Sequence, residues 1–329
     1  MAGIDSISSQ NTELPWQTGW WRELESYRGQ GRLPHALLVS GPAGVGKYHL
    51  VRRFARHLLC EHQSACGACA ACRRVAAETH PDWLEVAPEA GKELTIDKIR
   101  DLIAALALKP HYRPGRTVII QFSDRMNAAA ANAFLKTLEE PPPDTVIFLL
   151  SEFPSRLPAT IRSRCQQLKL AAPPSALSRP WLASQGFGEE AAELALALNG
   201  GAPLAALEWL QGEGPAKRRE FLKTWVRLLE KQGDPVVLAQ KWGDESLEQV
   251  VTWLLAIIAD LVRLSMALGG RLSNPDQRDL LQDQAKGLNL KRLFKFWRYL
   301  LEVREALNTH LNKQLQLETL FLEIPALKA

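Results

Sequence analysis

The stretch that decides the fold is Ala36-Leu-Leu-Val-Ser-Gly-Pro-Ala-Gly-Val-Gly-Lys47, an apolar run that enters a glycine-rich turn. The turn fits the pattern G-x-x-x-x-G-K, and Leu50, Phe54 and Leu58 follow it at helical spacing. A strand before such a turn and a helix after it are typical of a phosphate-binding loop, in which backbone N–H groups, a lysine and a helix N-terminus surround the phosphates. The residues predicted to do so are Gly41, Gly44, Gly46 and Lys47.

Around this loop, strand-like and helix-like segments alternate through the first 170 residues. Short apolar runs predict strands at 36–40, 83–86, 117–122 and 145–150, and a further strand is predicted at 165–170. Apolar residues at helical spacing predict helices at 48–59, from Thr95 to about residue 108, and from Asn127 to the proline run 141–143. Strands that alternate with helices predict a parallel sheet with crossover helices.

The character of the sequence changes after residue 170. Pro173 and Pro174 indicate a linker, and only helical patterns follow, interrupted by turns rich in Gly, Pro and Asn. The sequence therefore predicts an α/β domain followed by all-α domains. The predicted boundaries are residues 1–170 for the sheet domain, 171–211 for a small helical domain and 212–329 for a C-terminal helical domain.

Composition limits the class of protein. Of 329 residues, 46% are hydrophobic and 23% are charged, which excludes a disordered or collagen-like chain and a small disulfide scaffold. The net charge of +4 permits contact with nucleic acid but does not require it. Residues 1–16 lack the pattern of a secretory signal, and the longest apolar stretch, 250–259, is shorter than the roughly 20 residues that span a bilayer. We therefore expect a cytoplasmic protein that does not associate with membranes.

Two features of a hydrolytic phosphate loop are missing. Tyr48 stands where a Ser or Thr hydroxyl would bind Mg²⁺, and a phenol on a rigid ring cannot take that place. The predicted strand 117–122 ends in Gln121 and Phe122, where hydrolysis needs a carboxylate to hold magnesium and orient water. Asp124 follows two residues later. The sequence therefore predicts a loop that keeps its shape, while ATP with Mg²⁺ is not hydrolysed by this chain.

Four cysteines lie within residues 60–72 in the pattern C-x5-C-x2-C-x2-C. Zinc is bound by four thiolates in a tetrahedron, and each C-x2-C segment can present two of them. The predicted ligands of a structural zinc ion are Cys60, Cys66, Cys69 and Cys72. The alternatives are a set of small buried hydrophobic residues and a redox pair formed by Cys69 and Cys72. The fifth cysteine, Cys165, stands apart.

Two further segments resemble the AAA+ clamp-loader ATPases. The segment Asn132-Ala-Phe-Leu-Lys-Thr-Leu-Glu-Glu-Pro-Pro142 is similar to their N-A-L-L-K-x-L-E-E-P-P motif, and Ile161-Arg-Ser-Arg-Cys165 contains their S-R-C motif. The stretch Arg32-Leu-Pro-His-Ala-Leu-Leu38 and the four-cysteine insert also fit. The resemblance implies a AAA+ P-loop domain with a parallel sheet and a zinc-binding insert, a small helical lid domain, and a C-terminal helical collar that joins the subunits.

The losses in the loop narrow the choice within this family. The motor subunits of the bacterial DNA polymerase III clamp loader, tau and gamma, keep the Ser or Thr of the loop and an Asp-Glu pair at the strand end. They also carry a sensor arginine in the second domain, where this chain has Leu204. The resemblance therefore implies a subunit of the polymerase holoenzyme without ATPase activity of its own. Lys47 is retained, which leaves weak nucleotide binding open.

The S-R-C motif implies a role for Arg164 toward a neighbouring subunit. In the family this arginine reaches the γ-phosphate of ATP on the adjacent motor and stabilises the transition state in trans. Without that context, a surface salt bridge is the simpler interpretation. Glu139 and Glu140 are either solvated helix-end charges or, as the resemblance implies, lie near subunit contacts. The implied partners are the tau or gamma motors and delta in a hetero-pentamer, with the sliding clamp and primer-template DNA.

Two other functions stay open at this point: an active motor with unusual magnesium ligands such as Asp124, and a free-standing zinc protein that binds DNA.

Near the C-terminus, a helix that faces a core or a partner helix is predicted from the spacing of Leu290, Leu293, Phe294, Trp297, Leu300 and Leu301. The same stretch contains six basic residues, which either contact nucleic acid or form a solvated helix face. They are Lys286, Lys291, Arg292, Lys295, Arg298 and Arg304.

Overall fold

A computed structural model describes residues 13–89, 91–112, 115–270, 272–306 and 312–328. The predicted absence of a signal sequence concerns residues that lie mostly outside these ranges. The strands are β1 (Ala36–Ser40), β2 (Trp83–Val86), β3 (Arg116–Ile120), β4 (Thr145–Ser151) and β5 (Gln166–Lys169). They form one sheet in the order β2-β3-β4-β1-β5, and every pair is parallel. The predicted parallel-sheet domain is confirmed.

The inner strands of the sheet are covered on both faces, as their continuous Val, Ile and Leu runs require. Alternate residues of β1 enter different apolar clusters: Leu37 packs in the cluster that contains Phe54, and Leu38 in the cluster that contains Phe134. The helices of this part of the chain are α1 (Thr18–Gly29), α2 (Lys47–Leu59), α3 (Ala70–Ala76), α4 (Ile96–Leu106), α5 (Ala128–Glu139) and α6 (Ala159–Arg162). Helices α2 and α5 thus cover opposite faces of β1.

Local signals decide where several elements begin and end. The side chain of Asn127 accepts a hydrogen bond from the N–H of Ala130 at 2.9 Å and caps α5, which begins where the sequence predicts. Thr95 precedes α4, also as predicted, but its side chain makes no capping hydrogen bond. Strand β3 ends at Ile120, two residues before the predicted end, since Phe122 has a left-handed conformation with φ 49° that no strand can contain.

Contacts between residues divide the chain into two compact units. The first comprises Met1–Trp181 and Ala202–Ala205, and the second comprises Leu182–Gly201 and Ala206–Ala329. The remaining helices are α7 (Ser175–Ser184), α8 (Glu189–Leu198), α9 (Pro203–Gln211), α10 (Gly214–Leu229), α11 (Pro235–Lys241), α12 (Leu247–Ser265), α13 (Arg278–Ala285), α14 (Leu290–Ala306) and α15 (Lys313–Glu323). The predicted domain boundaries at residues 170 and 211 stay predictions.

The second unit has a helical core around the fully buried Trp225. The indole Nε1 of Trp225 donates a hydrogen bond to Oε1 of Gln284 at 2.9 Å, which satisfies both polar groups inside an apolar environment. Leu293 and Leu300 of α14 are buried in this core, as their spacing predicts. The other core positions of this helix are Phe296 and Val303, while Leu290 and Phe294 are exposed on this chain.

The basic residues between 286 and 304 all lie on the solvent side of the second unit. Arg298 lies 3.8 Å from Glu302, and Lys286 lies 2.8 Å from Asp283, so two of them form surface ion pairs. This arrangement agrees with a solvated helix face, and contact with nucleic acid stays a prediction. Among the residues that the structure describes, no helix is both long and apolar enough to cross a membrane.

Candidate functional site

The glycine-rich loop joins β1 to α2, so it lies at the carboxyl end of the sheet, as its sequence predicts. Gly44 and Gly46 adopt positive φ values of 73° and 91°. A Cβ atom on Gly44 would lie 2.4 Å from Cβ of Ala205, and one on Gly46 would lie 2.5 Å from the side-chain amide nitrogen, Nε2, of Gln17. Both the backbone conformation and the close approach therefore require glycine at these two positions.

Lys47 is the first residue of α2, and its side chain turns back onto the loop. Its Nζ donates to the carbonyl oxygens of Gly41 at 2.7 Å and Pro42 at 2.8 Å, and lies 3.9 Å from Oε1 of Glu152. Burial lowers the pKa of Lys47, whereas the charges of Glu152 and Asp124 act to raise it. The ammonium group is thus held by groups of its own chain.

Two side chains from the segment before α1 hold the same loop. Trp16 Nε1 donates to the carbonyl of Val45 at 3.0 Å, and Gln17 Nε2 donates to the carbonyl of Gly46 at 2.9 Å. Gln17 is fully buried, and its Oε1 lies 3.1 Å from Nδ1 of His49. Sequence reasoning missed these contacts, because hydrogen bonds between residues 29 positions apart follow no local pattern.

Leu204 stands at the position where the family resemblance implies a sensor arginine. The residue is 3% exposed and packs with Leu14 and Trp16. Its backbone N–H donates to the carbonyl of Gly44 at 2.9 Å. A hydrocarbon side chain offers a phosphate no hydrogen bond or charge, so this position contributes packing and one backbone contact to the loop.

The positions that would carry the magnesium ligand and the catalytic acid make other contacts. Tyr48 is half-buried, burial raises the pKa of its phenol, and the guanidinium of Arg52 lies 5.7 Å from the centre of its ring. The side-chain amide of Gln121 donates to the carboxylate of Glu85. Phe122 is 37% exposed. None of these three side chains offers a carboxylate or a short hydroxyl beside Lys47.

Asp124, the alternative magnesium ligand, is engaged with the backbone. Its carboxylate oxygens accept hydrogen bonds from the N–H groups of Glu152 and Phe153, each at 3.3 Å. The carboxylate therefore fixes the turn that follows β4.

The cavity beside the phosphate loop measures about 210 Å³, which is smaller than the roughly 300–1,000 Å³ of typical small-molecule sites.

Arg164 lies just before β5, and its side chain is 34% exposed. Its Nη2 lies 2.6 Å from Oε1 of Glu139, the last residue of α5. Its Nη1 donates to the carbonyl of Thr160 at 2.9 Å. The structure thus brings the E-E-P-P and S-R-C segments into direct contact. The sequence indicated both segments, and the ion pair between them could have been anticipated only from the simpler salt-bridge interpretation of Arg164.

The residues next to Arg164 anchor its backbone. Cys165 is 7% exposed and belongs to the same apolar cluster as Ile161. Burial raises the pKa of the Cys165 thiol to about 11. Ser163 Oγ donates to the carbonyl of Thr160 at 3.2 Å. Cys165 is therefore a core residue, and it fixes the backbone position from which the side chain of Arg164 extends.

The phosphate loop and Arg164 lie at opposite ends of the sheet. Strands β1 and β5 are parallel neighbours, with Leu37 paired to Gln166 and Ser40 paired to Lys169. The loop follows the last residue of β1, whereas Arg164 precedes the first residue of β5. Three residue steps along a strand measure roughly 10 Å. The loop therefore lies at the carboxyl ends of the strands, and Arg164 lies at their amino ends.

The four cysteines of the insert come together, as their spacing predicts. Cys60 directly follows α2, and the Sγ atom of Cys69 caps α3 by accepting a hydrogen bond from the N–H of Cys72 at 3.3 Å. All four Sγ atoms lie within 4.8 Å of one another, and Cys60 Sγ is 3.7 Å from that of Cys66. Four sulfurs around zinc would lie about 3.8 Å apart. The four thiols can therefore hold a metal ion.

The electrostatics of this cluster also suit a cation. Burial raises the pKa of Cys60, but the backbone N–H groups of Ser64, Cys66 and His62 outweigh burial and lower it to about 5. Burial and two neighbouring thiols raise the pKa of Cys72 to about 12. Four thiolates at these distances repel one another, so full ionisation of the cluster requires a cation among the sulfurs.

The sheet order, the glycine-rich loop between β1 and α2, and the helical C-terminal part define a AAA+-type P-loop protein. Family comparison narrows this class. A family model described as DNA polymerase III, delta subunit, matches residues 16–174, and one described as DNA polymerase III, delta subunit, C terminal, matches residues 213–325. The chain is 35% identical over 319 residues to DNA polymerase III subunit delta' of Pseudomonas aeruginosa, which covers 94% of this chain and 96% of that protein. The chain belongs to the family of DNA polymerase III delta' subunits.

Two further similarities are more distant. Over 149 residues the chain is 36% identical to DNA polymerase III subunit tau of Bacillus subtilis, which covers 44% of this chain and 26% of that protein. A solved structure of a DNA polymerase III, gamma subunit-related protein from Thermotoga maritima covers 93% of this chain and 99% of that chain, with 21% identity and a TM-score of 0.46. Of these two matches, the one to tau covers less than half of this chain.

Proposed function

We propose that this chain is a clamp-loader subunit that hydrolyses no ATP itself and supplies Arg164 in trans to a neighbouring motor subunit. One observation carries the proposal. Arg164 is held half-exposed before β5, at the opposite end of the sheet from the phosphate loop of its own chain. An arginine at that end of the sheet can act on a bound nucleotide only if the nucleotide belongs to another subunit.

The contacts of the phosphate loop support the lack of hydrolysis. Gln121 and Phe122 provide no acid to hold magnesium or orient water, and Tyr48 provides no short hydroxyl. The carbonyl groups of the loop accept hydrogen bonds from Trp16, Gln17 and Lys47 of the same chain. Side chains of the same chain therefore hold the carbonyl groups of the loop.

The chemistry proposed for Arg164 is stabilisation of charge. During hydrolysis of ATP on the neighbouring motor, negative charge spreads over the γ-phosphate oxygens. A guanidinium is planar, remains charged and presents five N–H donors in a fork that matches phosphate oxygens. Glu139 contacts Nη2, Thr160 accepts a hydrogen bond from Nη1, and 34% of the side chain remains exposed.

Zinc is the metal that we propose for the cysteine cluster. A four-thiolate set is typical of closed structural zinc sites, and it leaves no open position for a water molecule. The ion would cross-link the chain after α2 to the start of α3 through Cys60, Cys66, Cys69 and Cys72. Its contribution is to folding of the insert, so the reaction proposed for Arg164 does not involve it.

The proposed partners follow from the family. Relatives named as DNA polymerase III subunits delta' and tau support assembly with tau or gamma motors and with delta. A hetero-pentamer that loads the sliding clamp onto primer-template DNA in the cytoplasm is the assembly in which Arg164 would act. Head-to-tail subunit contacts suit this role, because one edge of each subunit then meets the opposite edge of the next.

The test is DNA-stimulated ATP hydrolysis and clamp loading by the reconstituted complex with wild-type chain or with Arg164→Ala. We expect the motor site beside this chain to slow by roughly 10³- to 10⁵-fold. Total hydrolysis falls only in part, since the other motor sites have their own arginines. Assembly and metal content should stay unchanged. Arg164→Lys should restore little, because an ammonium lacks the planar fork.

The matched control is Arg162→Ala, which removes another exposed arginine two residues away. This variant should hydrolyse ATP and load clamps like the wild type. Normal activity of a fully assembled Arg164→Ala complex would contradict the proposal and would leave the subunit with an architectural role alone.

A further inference from the structure

Glu139 makes a contact with Arg164 that the family role of the arginine does not require. The Oε1 atom of Glu139 lies 2.6 Å from Nη2 of Arg164, and Nη1 of the same guanidinium donates to the carbonyl of Thr160 at 2.9 Å. Glu139 ends α5, and Thr160 belongs to α6. Two separate helices therefore hold the two terminal nitrogens of one arginine.

Stability alone gives a weak reason for this pair. The two side chains are 34% and 49% exposed, and an exposed ion pair contributes little to stability because water screens it. A free arginine side chain has many rotamers, and this freedom must be lost before the guanidinium can meet a phosphate in one geometry. Fixing both terminal nitrogens removes much of that freedom before any partner arrives.

The contact also leaves donors available. A guanidinium has five N–H groups, and the contacts with Glu139, with Thr160 and with the hydroxyl of Ser163, which lies 3.5 Å from Nη1, involve three of them. The remaining N–H groups can point to phosphate oxygens while Glu139 stays in place. Catalytic groups are most effective when they are held in the productive geometry before the reaction.

We infer that Glu139 is a positioning residue for Arg164, which orients the guanidinium toward the nucleotide of the neighbouring subunit. The inference rests on the function proposed for Arg164. Glu139 itself touches no nucleotide, so its loss should reduce the rate of hydrolysis and leave the KM for ATP unchanged. Its whole effect should also depend on the presence of Arg164.

The experiment uses the reconstituted complex in which only the motor site beside this chain can hydrolyse ATP. Glu139→Gln keeps the size of the side chain and removes its charge. We expect kcat to fall about tenfold, well short of the roughly 10³-fold loss with Arg164→Ala. Glu139→Asp, which is shorter by one methylene, should not restore the rate, because its carboxylate no longer reaches Nη2.

The double variant, with both Glu139→Gln and Arg164→Ala, should be no slower than Arg164→Ala alone. The control is Asp97→Asn, which breaks a comparable surface pair with Arg100 in the same unit and should leave kcat unchanged. Circular dichroism and copurification of the partners would verify folding and assembly of each variant.

The outcomes separate the inference from the proposal beneath it. An Arg164→Ala complex with normal kcat would overturn the proposed function. A slow Arg164→Ala complex together with an unchanged or faster Glu139→Gln complex would overturn the inference alone, and a faster one would mean that Glu139 restrains the arginine. Additive losses in the double variant would also overturn it, since Glu139 would then act independently of Arg164.

Discussion

The phosphate loop and the edge that carries Arg164 belong to the same sheet but differ in what holds their polar groups. In the loop, Lys47, Trp16 and Gln17 all donate hydrogen bonds to carbonyl groups within their own unit. At the other edge, Arg164 is held by one carboxylate and one carbonyl, and its side chain stays 34% exposed. The loop carbonyls thus have donors within the unit, whereas Arg164 keeps part of its side chain at the surface.

The difference bears on the proposal that this chain hydrolyses no ATP and yet supplies Arg164 to a neighbour. The carbonyl groups of the loop are held by side chains of the same chain, and none of these contacts involves Tyr48, Gln121 or Phe122. The role proposed for Arg164 concerns another subunit and does not depend on the chemistry of the loop in its own chain. The two sites can therefore change independently, even though three residue steps of neighbouring strands connect them.

The largest expected effect concerns the metal, and it would show whether the two regions are independent. Removal of the metal with a chelator, or Cys60→Ser, should lower the free energy of unfolding by at least about 3 kcal/mol, because the insert loses its cross-link. Amide hydrogen exchange should increase in residues 60–76 and stay slow next to Arg164. Cys165→Ala should retain one equivalent of zinc. Equal stability with and without metal would contradict a structural site.

A smaller effect is expected from the buried amide that holds the loop. Gln17→Leu leaves the carbonyl of Gly46 and the ring nitrogen of His49 without this partner, which should cost about 1–3 kcal/mol. Urea unfolding measures the loss. The exposed Gln30→Leu is the control and should change stability by less than about 0.5 kcal/mol. If Gln17→Leu were equally harmless, internal contacts would not be what stabilises the loop.

A weaker effect should appear as a pH dependence at the other region. Burial raises the pKa of Cys165 from 9.0 to about 11, so the folded state favours the neutral thiol. The resulting stabilisation is complete below pH 9.0 and is lost as the pH rises to about 11. Urea unfolding between these values should show a steeper loss of stability for the wild type than for Cys165→Ala. Parallel curves would mean that Cys165 ionises equally well in the folded chain.

The smallest expected effect is none at all. The isolated chain should show no magnesium-dependent ATP hydrolysis, because Tyr48, Gln121 and Phe122 supply neither the metal ligand nor the acid. Lys47→Ala should therefore leave this baseline unchanged in a steady-state assay. Clear turnover that disappears with Lys47→Ala would favour the active motor with unusual magnesium ligands instead.

Much of the sheet domain could be predicted from the sequence, because its signals are local. Apolar runs located β1 to β4 within two residues at each end, the strand predicted at 165–170 lies within one residue of β5, and Asn127 indicated the start of α5. The early end of β3 could not be read, since a positive φ is uncommon for a residue as bulky as Phe122. In α14, spacing alone did not distinguish the exposed Phe294 from the buried Phe296.

The candidate site divides in the same way. The cysteine spacing and the loop glycines were visible, because each set is contained in a short stretch of chain. The contacts of Gln17 with the loop and of Glu139 with Arg164 join residues that are far apart in sequence. Such contacts depend on the order of the strands and on how the helices pack, and neither is encoded by the spacing of residues along one element.

The edge strand beside Arg164 has a consequence for how a neighbour can attach. Strand β5 has only four residues, of which Leu168 is buried while Gln166 and Lys169 are exposed. A short, polar edge offers little backbone for another strand to pair with. A subunit that approaches this side must therefore be recognised through side chains, and such contacts can be made and released repeatedly while the sheet itself remains unchanged.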